Sequence, residues 1–313
     1  MRILLAVDSM DVAEIAVQHL RRHPWPAGST MEVLSVIDKA DLGNVPQRIE
    51  DLKERTEEMA HYAAEKIGEL GISTLVTVLS GNPKDAIVDH AAATGADFIL
   101  MAAHQEIGRR RFMLGSVAKA VLRAAPCSVE VLRAPAVQEG VPRPPRVLLA
   151  TDGSECSLLA AHSIARRPWP AGTEVRILSV VEFCTSLFHV PFPPGAEEAL
   201  RIQAMKRTQE AIREVEEIVA NAGMRTSESI SVLLEKPESI IAIEAAQWEA
   251  DLIVLGSHGR RGLNRLLLGS VSEAVAVHAG CSVEVVRATP AWSRIVSLAP
   301  LTVEAQTPAL AQS

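Results

Sequence analysis

The amino-acid sequence predicts an α/β protein made of two tandem doubly wound domains, each an open five-stranded parallel sheet with helices on both faces. Three observations lead to this fold class. The chain contains an internal duplication, and in each copy short aliphatic runs alternate with longer amphipathic ones. Strands that are almost entirely apolar require a parallel sheet covered on both faces. Right-handed crossovers then give an open sheet with ligands at the carboxyl ends of its strands.

Matching segments define the duplication. RILLAVDS at residues 2–9 matches RVLLATDGS, which begins at Arg146, with an offset of 144 residues. Near the end of each copy the offset becomes 154, since GSVAKAV from Gly115 matches GSVSEAV from Gly269. The difference between 154 and 144 means that the second copy carries ten additional residues. Most of them belong to the predicted loop at 183–195.

The first half of the second copy illustrates the expected elements. Residues 147–151 form an aliphatic run that predicts a buried strand, and residues 157–166 predict the helix that follows it. Residues 174–181 predict the next strand. The segment 196–222 predicts a long helix, because apolar and small residues recur along one of its faces from Leu200 to Val219.

The second half of this copy continues with strand, helix, strand, helix and strand. These elements are predicted at residues 228–234, 237–249, 252–255, 270–279 and 282–286.

Composition shifts place the domain boundaries. The first domain is expected at 1–138 and the second at 147–288, separated by a proline-rich linker at 139–146. Residues 289–313 are rich in proline, alanine and glutamine without any period, which predicts a mobile tail.

Charge and composition narrow the classes of partner. Apolar residues make up 48% of the chain and charged residues 22%, which is typical of a globular protein. A formal net charge of -7 disfavours a nucleic-acid partner, because no basic excess is available to displace counterions from phosphates. No apolar run reaches the ~18 residues of a membrane span, and no signal peptide is recognised. The four cysteines lack metal-ligand spacing, so a cytoplasmic setting is expected.

The stretch ADLIVLGSHGRRGLNRLLLGSV at residues 250–271 is the strongest candidate for a ligand site. An apolar strand leads into Gly256 and Gly259, and Gly269-Ser270 then opens a helix. Glycines let backbone N–H groups approach a phosphate chain, and a helix N-terminus favours anions. The pattern is neither a Walker A loop nor a compressed dinucleotide motif. The alternative is that these glycines serve turn geometry and Ser270 caps its helix.

Two further positions lie where ligands of such a sheet bind. Asp152 and its counterpart Asp8 follow the first strand of each copy, where a carboxylate can bind a ribose or an adenine amine, or cap the next helix. Val180 lies near the end of the second strand and either offers its backbone to adenine or is an ordinary core residue. His258 follows the fourth strand without a partner carboxylate, so no catalytic residue is predicted.

These residues make the chain resemble a tandem universal stress protein. Members of this family carry the pattern G-x2-G-x9-G-(S/T) after a strand similar to ADLIVLGSHG, and Gly256, Gly259, Gly269 and Ser270 match it at each position. The resemblance extends over residues 1–134 and 145–288. It implies an adenine nucleotide α-hydrolase-like fold that holds ATP, or ADP or AMP, with Mg²⁺ or Mn²⁺ bound through the phosphates.

The resemblance also implies a role for each matching residue. In the second copy it assigns Asp152 and Val180 to the base and ribose, Gly256 to the ribose, and Gly259, Gly269, Ser270 and Val271 to the phosphates. In the first copy the matching residues are Asp8, Val36, Gly115, Ser116 and Val117. Ala102 and Gln105 replace the first two glycines there, so nucleotide binding is expected mainly in the second domain.

The resulting expectation is an ATP-binding regulatory or stress-survival protein with at most slow ATP hydrolysis. An ATP-hydrolysing enzyme and a scaffold that binds no nucleotide are the alternatives. The last strands of the two copies, 128–132 and 282–286, are nearly identical, and a twin edge would satisfy the unpaired backbone groups of each. We therefore expect them to pair as an internal pseudo-dimer, and we also expect that the chain can form a homodimer.

Overall fold

The computed structural model describes residues 1–38, 46–103, 114–134, 143–182, 196–233, 236–259 and 268–288. The predicted loop at 183–195, Gln105 and the predicted tail at 289–313 lie outside these ranges. Within the described part, ten strands form one continuous sheet. The strands of the first half are β1 Arg2–Ala6, β2 Thr30–Asp38, β3 Ser73–Gly81, β4 Phe98–Ala102 and β5 Ser128–Leu132. Those of the second half are β6 Arg146–Ala150, β7 Glu174–Glu182, β8 Arg225–Leu233, β9 Leu252–Gly256 and β10 Ser282–Val286.

The described helices connect these strands. In the first half they are α1 Met10–Arg22, α2 Pro46–Gly68, α3 Pro83–Thr94 and α4 Ser116–Ala124. In the second half they are α5 Glu155–Ala165, α6 Ala196–Asn221, α7 Pro237–Gln247 and α8 Ser270–His278. No described helix is both long enough and apolar enough to cross a membrane.

Two of the predicted elements begin two or more residues later in the prediction than in the structure. Strand β8 begins at Arg225 rather than at 228, because its ladder with β7 starts where Arg225 pairs with Glu174. Helix α5 begins at Glu155 rather than at 157, because the Ser154 hydroxyl accepts the N–H of Ser157 and caps the helix two residues earlier than predicted.

The strand order is β3-β2-β1-β4-β5-β10-β9-β6-β7-β8. Each half is a parallel five-stranded sheet in which the chain moves outward in one direction and then returns to the other side of its first strand. The order therefore reverses between β1 and β4 in the first half and between β6 and β9 in the second. At such a switch point the carboxyl ends of the strands leave a crevice for a ligand. The predicted fold class is confirmed.

Two aliphatic layers cover the sheet. On one face the core includes Ala13 and Ala16 of α1, Ala160 of α5 and Val215 of α6. The other face is covered by α3, α4, α7 and α8, which contribute Ile87, Val121, Ile241 and Val275, respectively. Both layers run continuously through the two halves. The low aromatic content is thus matched by a core made chiefly of Ala, Val, Leu and Ile.

The two halves join through their last strands, as the sequence predicted. Strands β5 and β10 pair in antiparallel orientation, with Val283 opposite Val131 and Val285 opposite Val129. Because β9 and β4 flank this pair, neither of the last strands is an edge of the sheet. Among the described strands, β3 and β8 are the edges of the sheet.

Reciprocal arginines reinforce this junction. The guanidinium of Arg133 in the first half donates to the carbonyl of Ala276, near the C-terminus of α8, at 2.6 Å. Its counterpart Arg287 donates to the carbonyl of Leu122, near the C-terminus of α4, at 2.6 Å. Each arginine thus satisfies carbonyls that the other half's helix leaves unpaired and places a positive charge at the negative end of that helix.

A buried charge cluster lies beneath the junction. Glu130 and Glu284 face each other across the paired strands and are 0% and 1% exposed. Arg167 donates to both carboxylates, with a distance of 2.9 Å to Glu130. His19 makes a second contact to Glu130, and Ser163, its counterpart in the second half, donates to Glu284. The equivalent carboxylates therefore share Arg167 but differ in their second partner, which is His19 for Glu130 and Ser163 for Glu284.

The two carboxylates titrate differently as a result. Burial raises the pKa of Glu284 to about 7, and the neighbouring carboxylate of Glu130 adds to the shift against the opposing charge of Arg167. Burial would also raise the pKa of Glu130, but the nearby Arg167 and His19 outweigh it and lower that pKa below its ordinary value.

Candidate functional site

The candidate site lies at the carboxyl ends of β6 and β9, at the switch point of the second half. One loop, residues 151–154, connects β6 to α5, and the other leads from β9 to α8. Of this second loop, residues 260–267 lie outside the described ranges. The sheet topology therefore brings together Asp152, Gly256, Gly259 and Gly269, which sequence reasoning had selected from segments more than a hundred residues apart.

Asp152 is fixed by its own loop. Its Oδ1 accepts the N–H of Ser154 at 3.0 Å, which folds the loop into an Asx turn. Gly153 between them has a φ of 73°, a left-handed conformation that favours glycine. The N-cap of α5 is Ser154 and not Asp152. The half-buried carboxylate of Asp152 borders the crevice, where its Oδ2 lies next to Gly259.

Two of the glycines are required by close contacts. A Cβ on Gly256 would lie 2.7 Å from the Cβ and the carbonyl carbon of Cys156, so this glycine lets the end of β9 pack directly on the first turn of α5. A Cβ on Gly259 would lie 2.5 Å from Oδ2 of Asp152. Gly256 thus has a packing role in addition to the ribose contact that the resemblance implied. Gly259 lies directly beside the carboxylate of Asp152, which is itself a predicted ligand-binding residue.

The N-terminus of α8 lies beside the end of β9, because the N–H of Gly269 donates to the carbonyl of Ser257. Gly269 is the N-cap and contributes no side-chain hydrogen bond, in contrast with the hydroxyl cap of α5. Ser270 and Val271 form the first turn, where the backbone N–H groups have no partner inside the helix. The hypothesis that Ser270 caps this helix is wrong, because Ser270 is already its first helical residue. The arrangement suits a phosphate group.

The side chain and the backbone of Val180 face different surroundings. The carbonyl of Leu178, two residues earlier, accepts the N–H of Thr151 at 2.9 Å. Backbone groups of alternate residues point to the same side of a strand, so those of Val180 point past the end of β6 into the crevice. Its side chain packs against the core. The side chain is therefore an ordinary core residue, whereas the predicted contact of its backbone with adenine stays a prediction.

Two serines that sequence reasoning missed connect the loops. The Ser154 hydroxyl donates to the carbonyl of His258 at 3.2 Å. The carbonyl of Ser257 accepts the N–H of Gly269 at 2.8 Å and lies 3.0 Å from the hydroxyl of Ser272. Comparison of the two copies could have identified these serines, because Met10 and Ala118 stand at the positions of Ser154 and Ser272 in the first copy.

His258 is a neutral neighbour of the site. Its Nδ1 lies 3.0 Å from the Ser257 hydroxyl. Burial, with a further contribution from the positive charge of Arg287, lowers the pKa of His258, which favours the neutral imidazole at pH 7. No group of three or more His, Cys, Asp or Glu residues among the described positions is arranged to hold a metal ion. A divalent cation here would depend on oxygen ligands from the nucleotide.

An acidic cleft lies on the other side of the Asp152 loop. It has a volume of about 380 Å³ and is lined by Gly153 and, from α6, by Arg207, Glu210, Ala211 and Glu214. The two glutamates make this cleft unfavourable for a phosphate chain.

The first half retains part of the same arrangement. Asp8 is exposed after β1, and Val36 occupies the position in β2 equivalent to Val180. Gly115 is the N-cap of α4 without a side-chain hydrogen bond, and Ser116 and Val117 form its first turn. Ala102 at the end of β4 carries the Cβ that Gly256 lacks.

Comparison with known proteins identifies relatives of both halves. The sequence model described as the universal stress protein family matches residues 1–133 and 145–287. A universal stress protein of Methanocaldococcus jannaschii is 33% identical over 142 residues, covering 45% of this chain and 81% of that protein.

One solved structure shows the same architecture over nearly the whole chain. The crystal structure of a universal stress protein from Archaeoglobus fulgidus covers 93% of this chain and 97% of its own, with a TM-score of 0.62 at 22% identity. A universal stress protein solved in complex with cAMP covers 46% of this chain and 97% of its own, with a TM-score of 0.34 at 24% identity.

Proposed function

The chain belongs to the universal stress protein family, and on that premise we propose that it is an ATP-binding regulatory protein with a role in stress survival. The second domain holds the nucleotide, and the first domain is mainly structural. The nucleotide acts as a ligand that shifts a conformational or assembly equilibrium through its differential affinity for the two states. We further propose that the protein works in the cytoplasm and that its paired domains act as an internal dimer.

The N-terminus of α8 is the observation that carries this proposal. Helix α8 has Gly269 as its N-cap, without a side-chain hydrogen bond, and it starts near a carboxylate at a switch point of the sheet. Free backbone N–H groups at such a helix end suit a nucleotide phosphate. In this assignment Asp152 and the backbone of Val180 bind the ribose and base. Gly256 adjoins the ribose, and Gly259, Gly269, Ser270 and Val271 bind the phosphates. Mg²⁺ or Mn²⁺ would be held through the phosphate oxygens.

The difference between the two domains supports a single site. Gly259 leaves room beside Asp152, whereas its counterpart in the first domain is the long side chain of Gln105. Gly256 and both connecting serines are likewise replaced in the first copy. The equivalent residues Asp8, Val36, Gly115, Ser116 and Val117 therefore form, in this proposal, a vestigial site.

Isothermal titration of the purified chain with ATP, ADP and AMP, each with and without Mg²⁺ or Mn²⁺, tests the proposal. We expect one site per chain. Two equivalent sites would contradict the assignment to the second domain, and the absence of binding by all three nucleotides, together with no adenine nucleotide released on denaturation, would favour a scaffold. A turnover assay for released phosphate distinguishes a ligand role from the alternative of an ATP-hydrolysing enzyme, for which turnover well above a slow background is required.

A further inference from the structure

Strand β3 is an unprotected edge of the ten-stranded sheet. All nine of its residues pair in register with β2, and no other strand among the described residues pairs with its outer side. The strand reads STLVTVLSG, without a charged residue or a proline. None of its residues is buried, and Leu75 is 62% exposed. Native proteins usually protect such an edge with charges, proline or a bulge, so this one is suited to pairing with a further strand.

The sequence of β3 reads almost alike in both directions about Thr77. Moving outward from Thr77, each side presents a valine, a leucine and then a hydroxyl residue. If two copies of β3 paired in antiparallel orientation about a two-fold axis at Thr77, Leu75 of one copy would stand opposite Leu79 of the other. Valine would likewise face valine, and such like pairs across strands stabilise a sheet. Moving the axis by one residue, to Val78, would place Leu79 opposite Thr77 instead.

The junction inside the chain already uses this geometry. Strands β5 and β10 are equivalent segments that pair in antiparallel orientation, with Glu130 opposite its counterpart Glu284. The valines beside these glutamates also face one another, as Val131 and Val283 do. Two like strands of this protein thus join two five-stranded sheets into one.

The side chains of β3 favour a second copy over an unrelated strand. Alternate residues of a strand share a face of the sheet, so Leu75 and Leu79 lie on the same face. Leu79 packs against the core layer that contains Ile87 of α3, whereas Leu75 is largely exposed. In the two-fold pair, Leu79 of each chain would cover Leu75 of the other, and the apolar layer would continue across the contact.

Strand β8, at the opposite edge of the sheet, lacks these properties. Its sequence RTSESISVL contains an arginine and a glutamate and does not read alike in both directions. Ser227 stands opposite Arg176 of β7, as Leu75 stands opposite Glu32 of β2, so an exposed serine replaces the exposed leucine. Of the two edges in the described sheet, only β3 is therefore suited to self-pairing, which closes an assembly at two chains.

We propose that two copies of this chain associate through β3, in antiparallel orientation about a two-fold axis at Thr77, so that their ten-stranded sheets become continuous. Nucleotide binding plays no part in this pairing, because β3 is an outer strand of the first half and the candidate nucleotide site lies in the second.

Sedimentation of the full chain over a range of concentrations, with Leu75→Lys and Ser227→Lys, tests the proposal. We expect wild-type protein to reach twice the 33.6 kDa of one chain. Leu75→Lys places a charge at both leucine pairs of the symmetric dimer, so its dissociation constant should rise at least about tenfold. Ser227→Lys is the matched control, since it adds the same charge at the equivalent exposed position of β8, and it should leave the dimer unchanged.

Three outcomes of sedimentation would overturn the proposal. The first is a wild-type chain that stays monomeric throughout, as it would if another segment of the chain or another protein covered β3. The second is a dimer that Leu75→Lys leaves intact, and the third is equal weakening by the two lysines.

Cysteine cross-linking tests the position of the axis and does not depend on how Leu75→Lys folds. At the two-fold axis the two copies of residue 77 stand opposite each other, with Cα atoms about 4.5 to 5.5 Å apart, within the reach of a disulfide. We expect Thr77→Cys to form a linked dimer on mild oxidation. Leu75→Cys should not, because its two copies would lie about 13 Å apart along the strands. Wild-type protein measures the background from the native cysteines, and failure of Thr77→Cys to link, or equal linkage of both variants, would overturn the pairing at Thr77.

Discussion

At the scale of single residues, Gly259 is where a side chain has least room. A Cβ there would lie 2.5 Å from Oδ2 of Asp152, so any larger residue must displace this carboxylate. We predict that Gly259→Gln, which copies Gln105 of the first domain, abolishes ATP binding while the protein remains folded. Titration calorimetry and circular dichroism measure the two properties.

Gly280→Gln is the control for this substitution. Gly280 lies in the same domain, and a Cβ at that position would meet no atom within 4 Å. We expect it to keep wild-type affinity. Undiminished ATP binding in Gly259→Gln, or a collapsed fold, would show that the assignment of Gly259 is wrong.

Gly256 is expected to affect stability as well as binding. Its Cβ position lies 2.7 Å from the carbonyl carbon of Cys156, which belongs to the backbone of α5 and cannot rotate away. Gly256→Ala is therefore predicted to lower the free energy of unfolding by about 1 to 3 kcal/mol, the usual cost of overpacking. Urea denaturation measures this change, and an unchanged midpoint would contradict the packing role.

Residue patterns predicted some of these positions and missed others for a physical reason. The glycines and Asp152 were recognisable because their spacing along a strand, loop and helix is local in sequence. The role of Ser154 depends on a hydrogen bond to His258, 104 residues away, which no local pattern contains. The packing of Gly256 on Cys156 likewise exists only after β9 and α5 have met.

At the scale of secondary structure elements, β10 is the strand on which the two halves depend. Its N–H groups at alternate residues face β5, and Val285 stands opposite Val129 while being fully buried. At a peripheral edge a proline costs at most about 3 kcal/mol. Because β10 is central in the ten-stranded sheet, we predict a cost of about 3 kcal/mol or more for Val285→Pro.

The variant Val285→Ala separates the two contributions to this cost. Alanine removes side-chain volume and keeps the backbone donor, so it should destabilise the protein less than proline does. Chemical denaturation of both variants measures the difference. An equal loss in the two would mean that the backbone ladder between β5 and β10 contributes little to the junction.

At the scale of the whole molecule, the paired domains create a buried environment for two carboxylates that neither copy of the sequence predicts by itself. Glu130 and Glu284 stand at the polar position of the alternating segments SVEVL and SVEVV, and such alternation is typical of strands with one face toward solvent. Both are buried instead, because α1 and α5 pack over the junction strands and supply His19 and Ser163, while Arg167 comes from the segment that follows α5. The pairing of the strands was predictable from their similarity, whereas the shared guanidinium was not.

The buried pair should make stability depend on pH near neutrality. The pKa of Glu284 is raised to about 7 from an ordinary value of 4.5, chiefly by burial. A carboxyl group with a raised pKa binds its proton more tightly in the folded state, so folding is destabilised as pH rises from about 4.5 through 7. Glu130 has the opposite shift and contributes stability that is lost on acidification. The lowered pKa of His23, caused mainly by burial, likewise costs stability below pH 6.5.

Glu284→Gln isolates the contribution of the raised group, because it keeps the volume and removes the ionisation. We predict that wild-type protein loses stability relative to this variant by up to about 3 kcal/mol between pH 5 and pH 8, at roughly 1.4 kcal/mol per pKa unit. Urea unfolding of both proteins at these two pH values measures the effect. Glu130→Gln should have the opposite effect on stability relative to wild type. It removes a carboxylate that Arg167 and His19 stabilise, so this variant should be less stable than wild type at pH 8 as well as at pH 5. A difference between wild type and Glu284→Gln that stays constant with pH would show that Glu284 is ionised throughout and that Arg167 neutralises both carboxylates.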